Sequence, residues 1–193
     1  MKTTIKHIST VQMGYSFRSR LEIEQEGNIS VVQMKDLLKD NTVSCENIVK
    51  VEMDQSKLQK HHLIKKGDLV FRSRGQITTS AILLKDLGKA VVASPLLKIR
   101  TSNPELVLPE YLNWYINQED AQRFLTKRSK GTVHKMISKK AIEDLEVNVP
   151  DIQMQHHIIE LAKLSHLETV LMNKISKKRN QYISKVLMDL TKE

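Results

Sequence analysis

The sequence predicts an α+β protein: a globular domain of mixed β-sheet and short helices over residues 1–150, then a long C-terminal helix within residues 151–193 that forms a coiled coil. Three observations predict it. Over residues 1–150, short β-branched runs alternate with Gly, Pro, Asn and Ser. After Pro150 the chain contains neither Gly nor Pro. From Ile158 onward, apolar residues recur at steps of three, four and seven.

The elements follow in order. Residues 29–34 read as a strand, as do residues 68–71, which are entered from the turn Lys66-Gly67. Residues 77–84 are rich in β-branched and aliphatic side chains, and Gly88 marks a turn before a further run over 90–99. Pro109 stands where a first helical residue belongs, and Leu112, Tyr115, Ile116 and Phe124 carry that helix on. Ser138 is placed to cap a short helix. Residues 145–149 alternate strictly and stop at Pro150.

The second region carries one apolar stripe: Ile158, Leu161, Leu164, Leu167, Leu171, Ile175, Tyr182, Val186 and Leu190. That is a helix of about 33 residues, roughly 50 Å long. Lys163, Asn173, Lys177, Arg179 and Asn180 occupy its other face. Such a stripe is too long for a domain of ~150 residues to cover, so a partner helix is expected. Glu168 and Lys178 fall near the seam, and the oligomer number is not readable from it.

Composition narrows the function. Hydrophobic residues make up 40% and aromatic ones 4% of the 193 residues, so the core is aliphatic. The net charge of +9 points to a polyanionic partner: DNA, RNA or an acidic membrane surface. With one cysteine, Cys45, no disulfide forms within the chain. The opening MKTTIKHIST has no apolar core of a signal peptide, and no run reaches the ~20 apolar residues of a membrane span. A cytoplasmic protein without membrane association is expected.

Catalytic and metal motifs are not found in the sequence. The pairs His61-His62 and His156-His157 point their adjacent side chains apart, so neither chelates one ion. Cys45 has no positioned base beside it. Residues 65–68, Lys-Lys-Gly-Asp, are not a phosphate-binding loop, and Arg72 and Arg74 follow Asp68 where a nuclease would carry acids. No cofactor, metal or enzymatic activity is expected.

Basic patches carry the positive signal. Residues 121–140 hold seven Lys or Arg and no acid. Within them Lys127, Arg128, Lys130, Thr132, His134 and Lys135 surround Gly131, as suits a loop lying on phosphates. The tetrapeptide Phe-Arg-Ser-Arg occurs twice, at 17–20 and 71–74. On a strand Arg18 and Arg20 share one face, as do Arg72 and Arg74, while Phe17 and Phe71 anchor inward. Arg bonds guanine bidentately and Gln bonds adenine, so these four arginines and Gln76 are candidate base contacts.

Taken in order, these segments resemble the specificity (S) subunit of Type I restriction–modification systems, in a half-length form: one target recognition domain and one conserved long helix. The resemblance runs through Gly14 to Ser19, "ISVVQMKDL", "IKKGDLVFRSRG", "KAVVASPLLKIR" and "LPEYLNWYIN". It is most specific at the junction, residues 130–161, where Pro150 and Gln155 match the family pattern. Asp151 replaces the family's second proline, and Met154 replaces its usual acid. The resemblance implies a non-catalytic subunit that selects double-stranded DNA for a methyltransferase (M) subunit and a restriction (R) subunit. It implies that residues 1–150 bind DNA. The helix then serves as spacer, dimer interface and methyltransferase-docking region through Ile158, Leu161, Leu164, Leu171, Ile175, Tyr182 and Val186. A homodimer, or pairing with another S half, would rebuild the two-domain subunit and read a bipartite site. The alternative is a stand-alone basic DNA-binding regulator dimerised by its coiled coil.

Overall fold

The computed structural model describes residues 1–17, 27–54, 56, 58–75, 78–129 and 136–191. The chain divides into two compact units, Met1–Gln155 and His156–Glu193.

Among the described residues, nine short strands build the first unit. β2 (Ser9–Met13), β5 (Leu69–Phe71), β6 (Ser80–Ile82) and β8 (Leu97–Thr101) form an antiparallel sheet in the order β2-β8-β5-β6. A second sheet has the order β4-β3-β7: β3 (Ile29–Val32) runs antiparallel to β4 (Val49–Val51) and parallel to β7 (Ala90–Val92). β1 (Lys2–Thr4) pairs with β9 (Glu146–Asn148), so the two ends of the unit are stitched together. The four-residue helix α1 (Ile5–Ile8) links β1 to β2.

The period-two rule explains how β3 is buried on both faces. Val32 packs with Val43, Ile64, Val70, Leu83 and Val92, while Ile29 and Val31 pack with Val49, Val51 and Val91. Both clusters are aliphatic, as the aromatic-poor composition requires. The run over 90–99 is not one strand. It breaks at the Ser94–Pro95 turn, and its halves join different sheets.

The first sheet is locked at its centre by charge. Asp68 is 1% exposed at its side chain, and both of its oxygens accept from Arg100, Nε and Nη2 each at 2.6 Å. Lys65 N–H adds a third bond, at 2.8 Å to Oδ2. A buried carboxylate is tolerable only when it is paired and hydrogen-bonded in this way. Asp68 in turn holds the Arg100 guanidinium further above its already high range. Next to it Lys98 is buried, with Nζ donating to the carbonyls of His61 and Leu63. Burial first, then the Arg100 and Lys65 charges, push Lys98 down to about 8, with Asp68 opposing.

Helix α2 spans Pro109–Ile116 and α3 spans Glu119–Lys127. The sequence pattern reads as one helix through Phe124, but Asn117 interrupts it. Its amide donates to the Ser80 carbonyl at 2.8 Å and accepts from Ser80 N–H at 2.9 Å, binding the edge of β6. Helix α4 (Lys139–Glu143) starts as expected, with Ser138 Oγ accepting from Ala141 N–H at 3.1 Å.

The long helix, α5, spans Ile152–Leu190. Asp151, the replacement for the second proline, caps it by accepting from Met154 N–H at 2.8 Å. Gln155 is 0% exposed, and its amide is fully used. Oε1 accepts from Leu108 N–H at 2.9 Å, and Nε2 donates to the carbonyls of Leu106 and Pro150, both at 2.9 Å. Only a side chain with an acceptor and two donors at one tip satisfies all three groups. The matching glutamine is therefore a structural pin for the first helical turn.

In the second unit the stripe lies open. Ile158 is half-buried, whereas Leu161, Leu164, Leu171, Ile175, Tyr182 and Val186 are exposed. Among the described residues, no helix is long and apolar enough to cross a membrane.

Candidate nucleic-acid interface

The second Phe-Arg-Ser-Arg copy begins on β5. Phe71 is 0% exposed and lies opposite Ser80 and Leu97 in the neighbouring strands. The strand ends there, but the in-out alternation continues: Phe71 and Ser73 are buried, Arg72 is half-buried and Arg74 is exposed. Arg72 N–H still reaches the Thr79 carbonyl at 2.8 Å, which holds the two arms of this hairpin together. Ser73 Oγ donates to the Pro95 carbonyl.

At Arg74 a second segment arrives. Arg74 pairs in antiparallel fashion with Met136, and Ile137 N–H donates to the Ser73 carbonyl at 2.8 Å. Gly75 follows with φ at +122°, a conformation that a side chain would oppose. A Cβ there would sit 3.6 Å from Nε and Nη2 of Arg72, an ordinary contact distance, so it is the backbone conformation and not crowding that favours glycine. Arg72 Nε is buried and has no hydrogen-bond partner among the described residues.

The other hairpin arm reaches α3. Thr78 Oγ1 donates to Gln122 Oε1 at 2.8 Å. Lys127 at the end of α3 and Arg128 just after it, about a turn and a half beyond Gln122, are both exposed. The Arg128 guanidinium lies 3.8 Å from the centre of the Phe124 ring, a cation–π contact that steadies it on the helix surface. The hairpin with Arg72 and Arg74 is thus joined on one arm to the return at Met136 and on the other to Gln122 of α3.

The first copy approaches the same region through the 93–96 turn. Gly14 N–H donates to the Leu96 carbonyl at 2.8 Å, Tyr15 N–H to Val92 at 2.6 Å, and Ser94 N–H to Tyr15 at 2.9 Å. A Cβ on Gly14 would lie 2.7 Å from the Val92 carbonyl oxygen and 2.8 Å from Leu96 O, so only glycine permits this approach. Phe17 sits edge-on to Tyr15 at 4.9 Å and is half-buried, a looser anchor than Phe71. Beside it a cleft of about 510 Å³ is walled by Phe17, Met34, Lys35 and Pro95. The segment that leads into Phe17 and the second copy are therefore bonded to one turn, the former through Tyr15 and the latter through Ser73. Sequence reading missed the turn's part in this, because its bonds to Gly14 and Tyr15 join residues about eighty positions apart and its bond to Ser73 spans 22; Gly14 and Pro95 were the only local signals.

Of the other predicted contacts, Arg18, Arg20, Gln76, Lys130, Thr132, His134 and Lys135 lie outside the described residues. Arg72, Arg74, Lys127 and Arg128 are placed as given above. Among the described residues, no group of three or more His, Cys, Asp or Glu is placed to hold a metal ion. His61 and His62 do not point apart as the period-two argument expects: in a short 3-10 turn their rings lie 4.0 Å apart, tilted at 55°, and burial, His61 and Lys98 together hold His62 below its usual range.

The family model for the Type I restriction modification DNA specificity domain matches residues 1–185. No curated protein matches the chain significantly. Solved structures do. One is a chain from work described as the structural basis underlying complex assembly and conformational transition of the type I R-M system. It superposes with a TM-score of 0.72 at 14% identity, over 96% of this chain and 43% of that one. The HsdS subunit from Thermoanaerobacter tengcongensis gives 0.64 at 14% identity, over 88% of this chain and 38% of its own. The Type-I restriction-modification system S subunit from M. genitalium gives 0.57 at 13% identity, over 85% and 38%. At these identities the likeness is one of fold. This chain spans less than half the length of each of the three.

Proposed function

Because the chain belongs to the family of Type I restriction modification DNA specificity domains, we propose that it is the non-catalytic, sequence-specific DNA recognition component of a Type I restriction–modification complex. The first unit reads duplex DNA. Arg72 and Arg74, with Arg18, Arg20 and Gln76, address base edges, while Lys127, Arg128, Lys130 and Lys135 hold phosphates and Thr132 and His134 line the same loop. The observation that supports this reading is the pairing of the Arg74 hairpin with the Met136 return, while the other arm of the hairpin is bonded to α3 through Thr78 and Gln122.

The long helix takes a second helix on its open stripe, and through it the complex gains a second recognition unit and its methyltransferase and restriction subunits. Two units related by a two-fold axis read a bipartite site, because protein symmetry is mirrored in the DNA. The work is done in the cytoplasm, where host DNA is modified. Mapping methylated adenines in a host genome with and without this gene tests the proposal. A bipartite motif whose methylation depends on the gene is expected. An unchanged map in a host carrying the methyltransferase overturns it.

A further inference from the structure

Four rings stand in a row in the first unit. His61 and His62 lie 4.0 Å apart, Tyr15 meets His62 edge-on at 5.2 Å, and Phe17 meets Tyr15 at 4.9 Å. Tyr15, Phe17 and Leu63 pack on the cluster of Ile29, Val31 and Val91. The row therefore runs from an exposed histidine to the residue that opens the first Phe-Arg-Ser-Arg copy.

The main chain beneath this row is fixed. The carbonyls on either side of His62 accept from cations of β8: Lys98 Nζ bonds those of His61 and Leu63, and Arg100 Nη2 also bonds Leu63, at 3.1 Å. Tyr15 is held in the same way, its N–H by the Val92 carbonyl and its own carbonyl by Ser94 N–H. A change of charge in the row is therefore answered by side chains first.

Such a change has one point of entry at His62. Gln59 N–H donates to His62 Nδ1 at 3.2 Å, so the neutral ring carries its hydrogen on Nε2. A further proton must enter at Nδ1 and displace that bond. The charged ring would find no anion among the described residues. Around it stand Lys60 and His61 on its own turn, Lys98 and Arg100 from β8, and Tyr15 from the segment after β2. Asp68 is committed to Arg100 and to Lys65 N–H. Burial first, then His61 and Lys98, hold His62 below its ordinary 6.5. The neutral arrangement is thus complete above that value and is lost as pH falls through the lower, folded one.

We propose that His62 is a positioning residue for the first Phe-Arg-Ser-Arg copy: its neutral ring supports Tyr15 and, through Tyr15, Phe17, and charging the ring withdraws that support. This rests on the DNA-reading role proposed above and adds a residue that acts on it without touching DNA. The sign of the effect is diagnostic. A histidine that only adds charge to a basic protein strengthens its hold on phosphates as pH falls. A histidine that positions the reading segment weakens recognition over the same range.

Proton NMR on the full chain tests the support without DNA. As pH falls from about 8 to about 5, the nuclear Overhauser effect between the Tyr15 and Phe17 rings is expected to weaken with the midpoint of the His62 ring. An effect that keeps its strength while His62 titrates overturns the proposal, as does a His62 that stays neutral throughout. Titration of the motif returned by the methylation map, at fixed salt, reads the consequence. Affinity for the motif is expected to fall about threefold or more over the same range, while affinity for random DNA does not fall. His62→Phe keeps a ring that cannot be charged, and should hold motif affinity level where the parent loses it. A parent that binds the motif more tightly at low pH overturns the proposal, and so does a folded His62→Phe chain with the parent's pH profile. A chain that binds no DNA overturns the recognition role instead, and the ring contact is then judged by NMR alone.

Discussion

The two units of this chain place their apolar residues oppositely. In Met1–Gln155 the aliphatic side chains are buried in two clusters around β3, and the charges that go inside, Asp68 and Lys98, are bonded there. In His156–Glu193 the large apolar side chains beyond Ile159 stand outside, with Leu161 and Tyr182 each 70% exposed. The difference teaches that the first unit is complete as a fold and the second is not. A stripe that exposed signals an absent partner.

Breaking the helix seam should have the largest effect on assembly and the smallest on the fold. Leu171→Glu with Ile175→Glu is expected to abolish self-association in sedimentation while the unfolding midpoint of the first unit stays unchanged. Loss of both would blur the contrast between the units. Inside the first unit, Asp68→Ala leaves Arg100 and Lys98 without their anion. Arg100 is 30% exposed at its side chain, so water relieves part of the penalty. A loss of about 3 kcal/mol in denaturant unfolding is expected, at the low end for breaking a buried pair.

Arg74→Ala probes the outside of the same unit. It should lower discrimination between cognate and random DNA by about 1–3 kcal/mol, read by titration at fixed salt. Its stability should move by less than about 0.5 kcal/mol. Equal losses on both DNAs would mark Arg74 as a phosphate clamp. Gln155→Leu tests the pin of the first helical turn. Stranding Leu108 N–H and the Leu106 and Pro150 carbonyls should cost about 1–2 kcal/mol of first-unit stability.

The gentlest probe is alkaline pH. Lys98 titrates at about 8 in the fold against 10.5 unfolded, so between these values the unfolded chain binds more protons. Stability therefore rises with pH through that window, by at most about 1.4 kcal/mol per pH unit. Tyr111 works the other way. Burial and Tyr115 push it from 10.0 to about 12, so its contribution is lost as pH climbs through that range. A stability maximum near pH 10 is expected, and Lys98→Met should flatten the rise that precedes it.

Much of this was legible in the residues. The long helix was, because its signal is local: an unbroken spacing and no Gly or Pro. So were the Ser138 cap and the Pro109 start, which depend on one residue each. What escaped was non-local. β1 and β2 form because residues 146–148 and 97–101 come back to pair with them, and no spacing within residues 2–13 announces that. The α2–α3 break escaped because Asn117 answers to Ser80 and not to its own helix. The arginines were legible as a pattern of charge. The bond from the Ser73 hydroxyl to the Pro95 carbonyl was not, because no local pattern links those two loops.

The clamp between Ser73 and Ile137 has one more consequence. It is made by main chain alone, on either side of the bridge between Arg74 and Met136, so it does not depend on the side chain that Arg74 carries. A different letter at that position leaves the bond in place, and what the position presents can be exchanged without rebuilding the frame that presents it.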